Sequence, residues 1–372
     1  MKQVGLIGWR GMVGSVLMQR MQEAQDFRHI EPTFFTTSNV GAIGPTIDQR
    51  SFRLEDAYDI EALSSMDIII TCQGGEYTKS IYTKLRMAGW QGDWIDSSSA
   101  LRMDENACII LDPVNRSEID EARQRGIKLF TGGNCSITLS LLGLSGLLKT
   151  GLVEWMSLMT YQAASGAGAN QVRELIEQNN YLKDHLHDTT KISTTPILSL
   201  VDEATSILRQ DNFPQTALGA PLMGSLIPWI GEELHNGHSQ EELKAELEAN
   251  KILGLPPKTI PINGLCIRVG VFRCHSAAIT FKLKERIDEA TFANLTRNAH
   301  DWVSYIPNTK EESVQQLTPA ALSGSLKIGV GRFKEMGFKK ESIYSVLTVG
   351  DQLLWGAAEP LRRMLRILLD HI

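Results

Sequence analysis

The chain has 372 residues, 42% of them hydrophobic, and its 37 Lys and Arg against 43 Asp and Glu give a formal charge of −6. A length above about 250 residues exceeds what one hydrophobic core organises, so two domains are expected, and the mild acidity argues against a nucleic-acid partner. No run approaches the roughly 18 apolar residues of a membrane span and the start lacks the apolar stretch of a secretory signal, which points to the cytoplasm, while five scattered cysteines make no disulfide framework.

The first third alternates short apolar runs with helical patterns. Residues 4–7 read as a strand and 12–21 as a helix; strands follow at 33–36, 66–72, 94–96, 108–111 and 128–131, with helices at 77–88 and 117–125. This alternation predicts βαβ units, a parallel sheet and an α/β fold of Rossmann type. Beyond residue 152 the pattern changes to longer strands at 156–162, 265–273 and 277–283, with helices at 198–208 and 241–250, and predicts a second, α+β domain. Residues 351–372 have apolar positions at helical spacing, with a kink or restart expected at Pro360.

Gly8-x-x-Gly11-x-x-Gly14 joins the first strand to the first helix. Glycines there let a backbone approach a pyrophosphate, and the helix N-terminus supplies N–H groups and partial positive charge. A tight turn without a ligand is the plainer alternative. The second strand ends in Thr36-Thr37-Ser38 with no carboxylate for a ribose 2′-OH, whereas Arg10 can pair with a 2′-phosphate, so NADP fits better than NAD. Cys72-Gln73-Gly74-Gly75 follows another strand and would line the same crevice.

Gly132-Gly133-Asn134-Cys135 ends a strand and opens the apolar helix 137–148, which puts Cys135 at a helix N-terminus where a thiolate is favoured. A lone cysteine is otherwise a small buried hydrophobe, as the other four are read. His275 has Cys274 beside it on what reads as one strand, and adjacent strand residues face opposite ways. Arg268 lies seven residues earlier, so the strand must bend or end, with Gly270 the place for it, if both are to face one ligand. Alone, His275 reads as a satisfied, partly buried histidine. The pairs His185/His187 and His235/His238 lack a ligand cluster, so no metal site is expected. Ser239 and Glu242 have capping-box spacing, Glu241 and Lys244 share a helix face, and Arg102 follows a strand at the ligand-binding edge of the sheet.

Together these segments resemble the aspartate-β-semialdehyde dehydrogenases, in particular the Gram-negative bacterial branch. The resemblance spans nearly the whole chain and is carried by residues 5–15, by Gly132 to Cys135, by Tyr161 to Gly166, by Gly224 to Ile230, by Arg268 to His275 and by Gly350 to Pro360. It implies an NADP-binding domain over 1–133 completed by a C-terminal helix in 351–372, a catalytic and dimerisation domain over 134–350, and a cytoplasmic homodimer. It implies reversible NADPH-dependent conversion of 4-phospho-L-aspartate to aspartate semialdehyde and phosphate, for lysine, threonine and methionine synthesis. By the same resemblance Cys135 is the nucleophile, His275 the acid/base and Gln162 the residue that orients the acyl group. Arg102, Lys244 and Asn134 would bind phosphate, Arg268 the substrate α-carboxylate and Glu241 its ammonium. Gly8, Arg10, Gly11, Met12, Val13, Thr37, Ser38, Gln73, Ser165, Gly166 and Gln352 would bind the cofactor. Residues 179–215 depart most from the family pattern, and a cofactor-contacting proline expected near Ser193 is absent. N-acetylglutamyl-phosphate reductase and glyceraldehyde-3-phosphate dehydrogenase are the nearest enzyme rivals, and a dinucleotide-sensing or scaffold protein is the rival of another class.

Overall fold

The computed structural model describes residues 1–186, 193–337 and 341–372. The chain begins with β1 (Lys2–Ile7), α1 (Met12–Glu23), β2 (Ile30–Thr36), β3 (Ile43–Ile47), β4 (Arg50–Asp56), α2 (Ile60–Ser64), β5 (Ile68–Thr71) and α3 (Gly75–Met87). It continues through β6 (Asp93–Asp96), β7 (Ala107–Ile110), α4 (Asp112–Gln124), β8 (Leu129–Gly132) and α5 (Cys135–Leu148). Then come β9 (Val153–Gln162), α6 (Ala169–His185), α7 (Ile197–Leu208), β10 (Leu226–Ile227), α8 (Gln240–Ile252), β11 (Ile262–Val269) and β12 (His275–Leu283). The last elements are α9 (Glu289–Arg297), β13 (Val303–Tyr305), α10 (Lys310–Gln316), α11 (Pro319–Leu322), β14 (Ile328–Glu335), β15 (Ile343–Gly350) and α12 (Glu359–Leu368).

The first sheet has the order β3-β4-β2-β1-β5-β6-β8-β7 and is parallel apart from the β3–β4 hairpin. Its central strands are apolar on both faces because helices cover both. On β1, Leu6 joins a core with Leu17 and Met21 of α1 and Leu361 and Met364 of α12, while Ile7 faces Ile69 and, on α3, Ile81 and Leu85. Thus the C-terminal helix returns to the first sheet. Ion pairs fasten it there: Arg362 donates to both Asp26 carboxylate oxygens at 2.5 and 3.1 Å in a buried pair, and the half-buried Arg20 donates to Glu359 at 3.0 Å.

The second sheet has the mixed order β10-β11-β9-β12-β15-β14-β13. One face packs against α5, α8 and α9, so β12 alternates strictly between buried and half-buried residues. On its other face and rim Tyr161, Leu265 and Phe272 remain exposed.

One expectation changes, one is met in one of its two forms, and several strands are new. The predicted strand 265–273 ends at Val269, and residues 270–274 form a turn in which Cys274 adopts φ +77°, so Cys274 and His275 do not share a strand. At Pro360 the restart, not the kink, is found: a π-helical turn, Leu354–Ala358, gives way to α12, where Pro360 occupies the first turn, which needs no intrahelical N–H. The strands β3, β4, β10, β13, β14 and β15 were not foreseen, being short or dependent on distant partners.

Candidate active site

The sheet reverses its direction of growth at β1: α1 leads outward to β2, whereas β5 joins β1 on the opposite side. A ligand crevice opens at such a point. Gly8 has φ +71°, and a Cβ there would lie 2.5 Å from the backbone of Cys72 and Gln73; a Cβ on Gly14 would lie 2.2 Å from the Gly8 carbonyl. The turn is therefore pressed tight against β5. Gly11 is the N-cap of α1, and no side chain caps the first turn, which begins at Met12 and Val13. Arg10 Nη2 donates to Thr36 Oγ1 at 2.9 Å and Ser38 Oγ at 3.0 Å, placing a guanidinium at the end of β2, where Thr37 also lies. Gln73 follows β5 across the crevice. These donors fit a dinucleotide with a 2′-phosphate, and Thr36, placed by sequence at the end of the second strand without a role of its own, belongs to the same cluster.

Cys135 is the first residue of α5. Asn134 caps this helix, its Oδ1 accepting the N–H groups of Ser136 and Ile137 at 3.0 and 3.2 Å. The Cys135 sulfur lies 3.3 Å from His275 Nε2. His275 opens β12, Gln162 ends β9 and Arg268 lies on β11 in register with Gln162, so three neighbouring strands of the second sheet deliver these side chains together. Arg268 Nη1 donates to the Ala163 carbonyl at 2.8 Å, and the Ala163 N–H donates to His275 Nδ1 at 3.0 Å. Gly166 faces both groups; a Cβ there would come 2.8 Å from His275 Nε2 and 2.9 Å from Arg268 Nη1.

The helix α8 supplies the opposite wall. Glu241 Oε1 accepts from Asn134 Nδ2 at 2.7 Å and Gln162 Nε2 at 3.4 Å, and Lys244 Nζ lies 3.3 Å from Glu241 Oε2. Asn134, expected as a phosphate donor, thus has both ends of its amide engaged inside the protein. Arg102 donates to the Gly132 carbonyl at 2.7 Å and to Glu248 at 2.9 Å, and the second Glu248 oxygen accepts the Asn134 N–H at 2.7 Å. Lys251 Nζ donates to the Arg102 carbonyl at 3.0 Å. Glu248 and Lys251 were missed, although Glu241, Lys244, Glu248 and Lys251 repeat at three and four residues, the spacing of one helix face. Ser239 and Glu242 form the expected capping box.

Arg102, Asn134, Cys135, Gln162, Glu241, Lys244 and Arg268 line a cavity of about 290 Å³ that also reaches Val13, Ser165 and Gln352. A larger one of about 570 Å³ lies among α4, α5 and residues 253–260, but its lining has neither cysteine nor histidine. Ser165 and Gln352, expected to contact the cofactor, are bonded to each other, and Gln352 Oε1 also accepts the Cys274 N–H at 2.8 Å. Burial, then the nearby Glu241 carboxylate, pushes the Cys135 thiol up to about 12; burial, then Arg268, lowers the His275 imidazole to about 3. Without substrate the pair is therefore neutral. Elsewhere Cys274 Sγ contacts Ser323 Oγ, His185 stacks on Tyr181 and His238 lies 3.9 Å from Glu242; His187 is outside the described residues. Among the described residues no group of three or more His, Cys, Asp or Glu is arranged to hold a metal ion, and no helix is long and apolar enough to cross a membrane.

Residues 3–122 match the family model described as semialdehyde dehydrogenase, NAD binding domain, and residues 144–355 match semialdehyde dehydrogenase, dimerisation domain. A solved aspartate semialdehyde dehydrogenase from Francisella tularensis is 46% identical, with 99% of this chain and 100% of that one covered and a TM-score of 0.94. The chain belongs to the aspartate-semialdehyde dehydrogenase family. The fold extends to more distant members: aspartate semialdehyde dehydrogenase II of Vibrio cholerae, complexed with ASA, is 22% identical over 100% of this chain and 98% of that one, TM-score 0.80. The Candida albicans enzyme, solved with NADP, is 14% identical with both chains fully covered, TM-score 0.66.

Proposed function

We propose that this member of the family catalyses the reversible reductive dephosphorylation of 4-phospho-L-aspartate to aspartate semialdehyde and phosphate with NADPH, in lysine, threonine and methionine synthesis. The observation that carries the reading is the Cys135–His275 contact at 3.3 Å, with Cys135 lining one cavity together with Gln162, Arg268, Glu241, Lys244 and Arg102. Cys135 attacks the acyl phosphate and forms a thioester, and His275 serves the proton inventory of the cycle. Arg102 and Lys244 hold the phosphate as cationic donors. Arg268 clamps the α-carboxylate and Glu241 pairs with the α-ammonium, so the carbonyl carbon is presented to the sulfur; the Gln162 amide orients the acyl oxygen. Bound NADPH supplies the hydride that reduces the thioester. Gly8, Gly11, Met12 and Val13 provide the pyrophosphate turn, Arg10, Thr37 and Ser38 the 2′-phosphate end, and Gln73, Ser165, Gly166 and Gln352 the wall toward Cys135.

The domain division that suits this reading is 1–133 with 351–372, carrying the cofactor, and 134–350, carrying the chemistry and the subunit contact. The return of α12 to the first sheet supports the first part. The exposed Tyr161, Leu265 and Phe272 of the second sheet suit a second copy of the chain, in a cytoplasmic homodimer.

The test is phosphate-dependent reduction of NADP⁺ by the purified protein with aspartate semialdehyde, followed by nicotinamide absorbance and repeated with NAD⁺. Activity that requires phosphate, prefers NADP⁺ and disappears in Cys135→Ala is expected. No absorbance change with the wild-type protein would overturn the reading.

A further inference from the structure

We infer that Gly356 is a positioning residue for the nucleophile: its bare Cα, carried in the π-helical turn before α12, is the wall that holds the Cys135 side chain toward His275. This rests on the proposed role of Cys135 as the acylated residue and deepens it.

Glycine is a poor helix former, and a buried one inside a helical turn calls for a reason. Its backbone is not left-handed, so conformation is not that reason. Space is. A Cβ at this position would lie 2.8 Å from the Cys135 Cβ, 3.2 Å from the Cys135 Cα and 3.2 Å from the Gln352 Cβ. The first of these is far inside the roughly 3.5 to 4.0 Å of a favourable carbon contact. The Cβ of Cys135 is fixed by its own backbone, so it cannot swing aside as the end of a long side chain would.

Neither partner can retreat as a whole. The Ala358 N–H donates to the Leu353 carbonyl at 3.1 Å, an i→i+5 bond that takes in one residue more than an α-turn, a feature common at functional sites. Within three residues the turn serves two cores: Trp355 packs in that of the second sheet with Ile137 and Leu141 of α5, and Ala358 in that of the first sheet with Leu17 of α1. Both ends are tied. The buried Trp355 indole donates to the Leu326 carbonyl at 2.9 Å, and Glu359 accepts from Arg362 at 2.8 Å as well as from Arg20 of α1. Gly356 lies between these ties and lines the cavity beside Cys135. Across from it, Asn134 Oδ1 holds the first turn of α5, and the Thr138 hydroxyl donates to the Cys135 carbonyl at 3.0 Å.

The Cys135 Cβ thus rests on Gly356 while its sulfur faces His275 Nε2 at 3.3 Å. Because the same turn is latched to α1 through Glu359, the sulfur is set in register with the cofactor turn as well as with its own helix. A methyl group at 356 would push the sulfur away from His275 and from the acyl carbon without touching Arg102 or Lys244. A misplacement of about 1 Å at a reacting atom costs about 100-fold in rate.

A stability cycle reads the contact without turnover, so its failure is distinct from failure of the proposed activity. In the full-length protein Gly356→Ala should lower the melting temperature by about 2 to 4 °C, as modest overpacking does in a chain of this size. In the Cys135→Gly background, where the opposing Cβ is gone, the same exchange should cost less than about 1 °C. Should Gly356→Ala alone fail to fold, its combination with Cys135→Gly should fold. An equal cost in both backgrounds, or a double variant that also fails to fold, overturns the contact. Phosphate-dependent turnover then reads the role. Folded Gly356→Ala should lose about 100-fold in kcat while the KM for phosphate stays within about 3-fold. A kcat within about 3-fold of wild type, or a loss that appears in the KM for phosphate instead, overturns the positioning role.

Discussion

Arg102 and Glu248 form a buried ion pair at 2.9 Å, and the carboxylate also accepts the N–H of Asn134, the residue before the nucleophile. One carboxylate from α8 therefore fixes both a phosphate-side cation and the turn that aims Cys135. The exchange Glu248→Gln keeps the shape but gives up the charge-assisted bond. It should raise the KM for phosphate at least 10-fold, an order-of-magnitude expectation for one such bond, while the KM for aspartate semialdehyde moves much less. Steady-state kinetics with each substrate varied in turn read the difference; equal shifts in both constants would mean that Glu248 only supports the fold.

Reactivity of the free enzyme should follow the raised thiol. With the Cys135 value at about 12, only a minute fraction is thiolate at neutrality, and that fraction grows about tenfold per pH unit up to that value. Alkylation of the ligand-free protein by iodoacetamide, corrected with Cys135→Ala, should accelerate steadily from about pH 6 to 9. A plateau near neutrality would show an activated thiolate and contradict the burial argument.

Arg268→Lys keeps a positive charge but loses the planar fork and the fixed hold on the Ala163 carbonyl. The expected fall in kcat/KM for aspartate semialdehyde is about 100-fold. An unchanged value would remove Arg268 from the carboxylate site.

Arg10→Ala should cut kcat/KM with NADP⁺ by about 10- to 100-fold and leave that with NAD⁺ nearly as it was, because only the former carries a 2′-phosphate for the guanidinium. Parallel losses with both cofactors would place Arg10 elsewhere than at the 2′-phosphate.

Local features of this site were readable in the sequence. The Gly8, Gly11 and Gly14 spacing announced the β1–α1 turn, and the run before Cys135 announced a helix start, because both depend on neighbours within a few residues. The meeting of Gln162, Arg268 and His275 was not readable from spacing, since it is made by three strands brought side by side; only the family resemblance grouped them. The isolated reading of His275 as a satisfied histidine was right about its Nδ1 and silent about its Nε2. Glu248 looked like any charged residue of an amphipathic helix, and what singles it out is a buried partner, Arg102, from a distant part of the chain. Cys274 resembled a strand residue because its left-handed backbone leaves no mark in composition.

The latch between α12 and the first sheet also bears on how the protein is made. During synthesis β1, β5 and α1 emerge early, yet Leu361 and Met364, which close the core against Leu6 and Leu17, emerge only after every strand of the second sheet. The cofactor side must therefore wait, with apolar surface uncovered, while the part bearing Cys135 is still being threaded out. Assembly of the crevice and of the chemistry beside it then becomes one late event, and a ribosome stalled short of residue 359 would leave a chain that carries the thiol but lacks a finished place for the nucleotide.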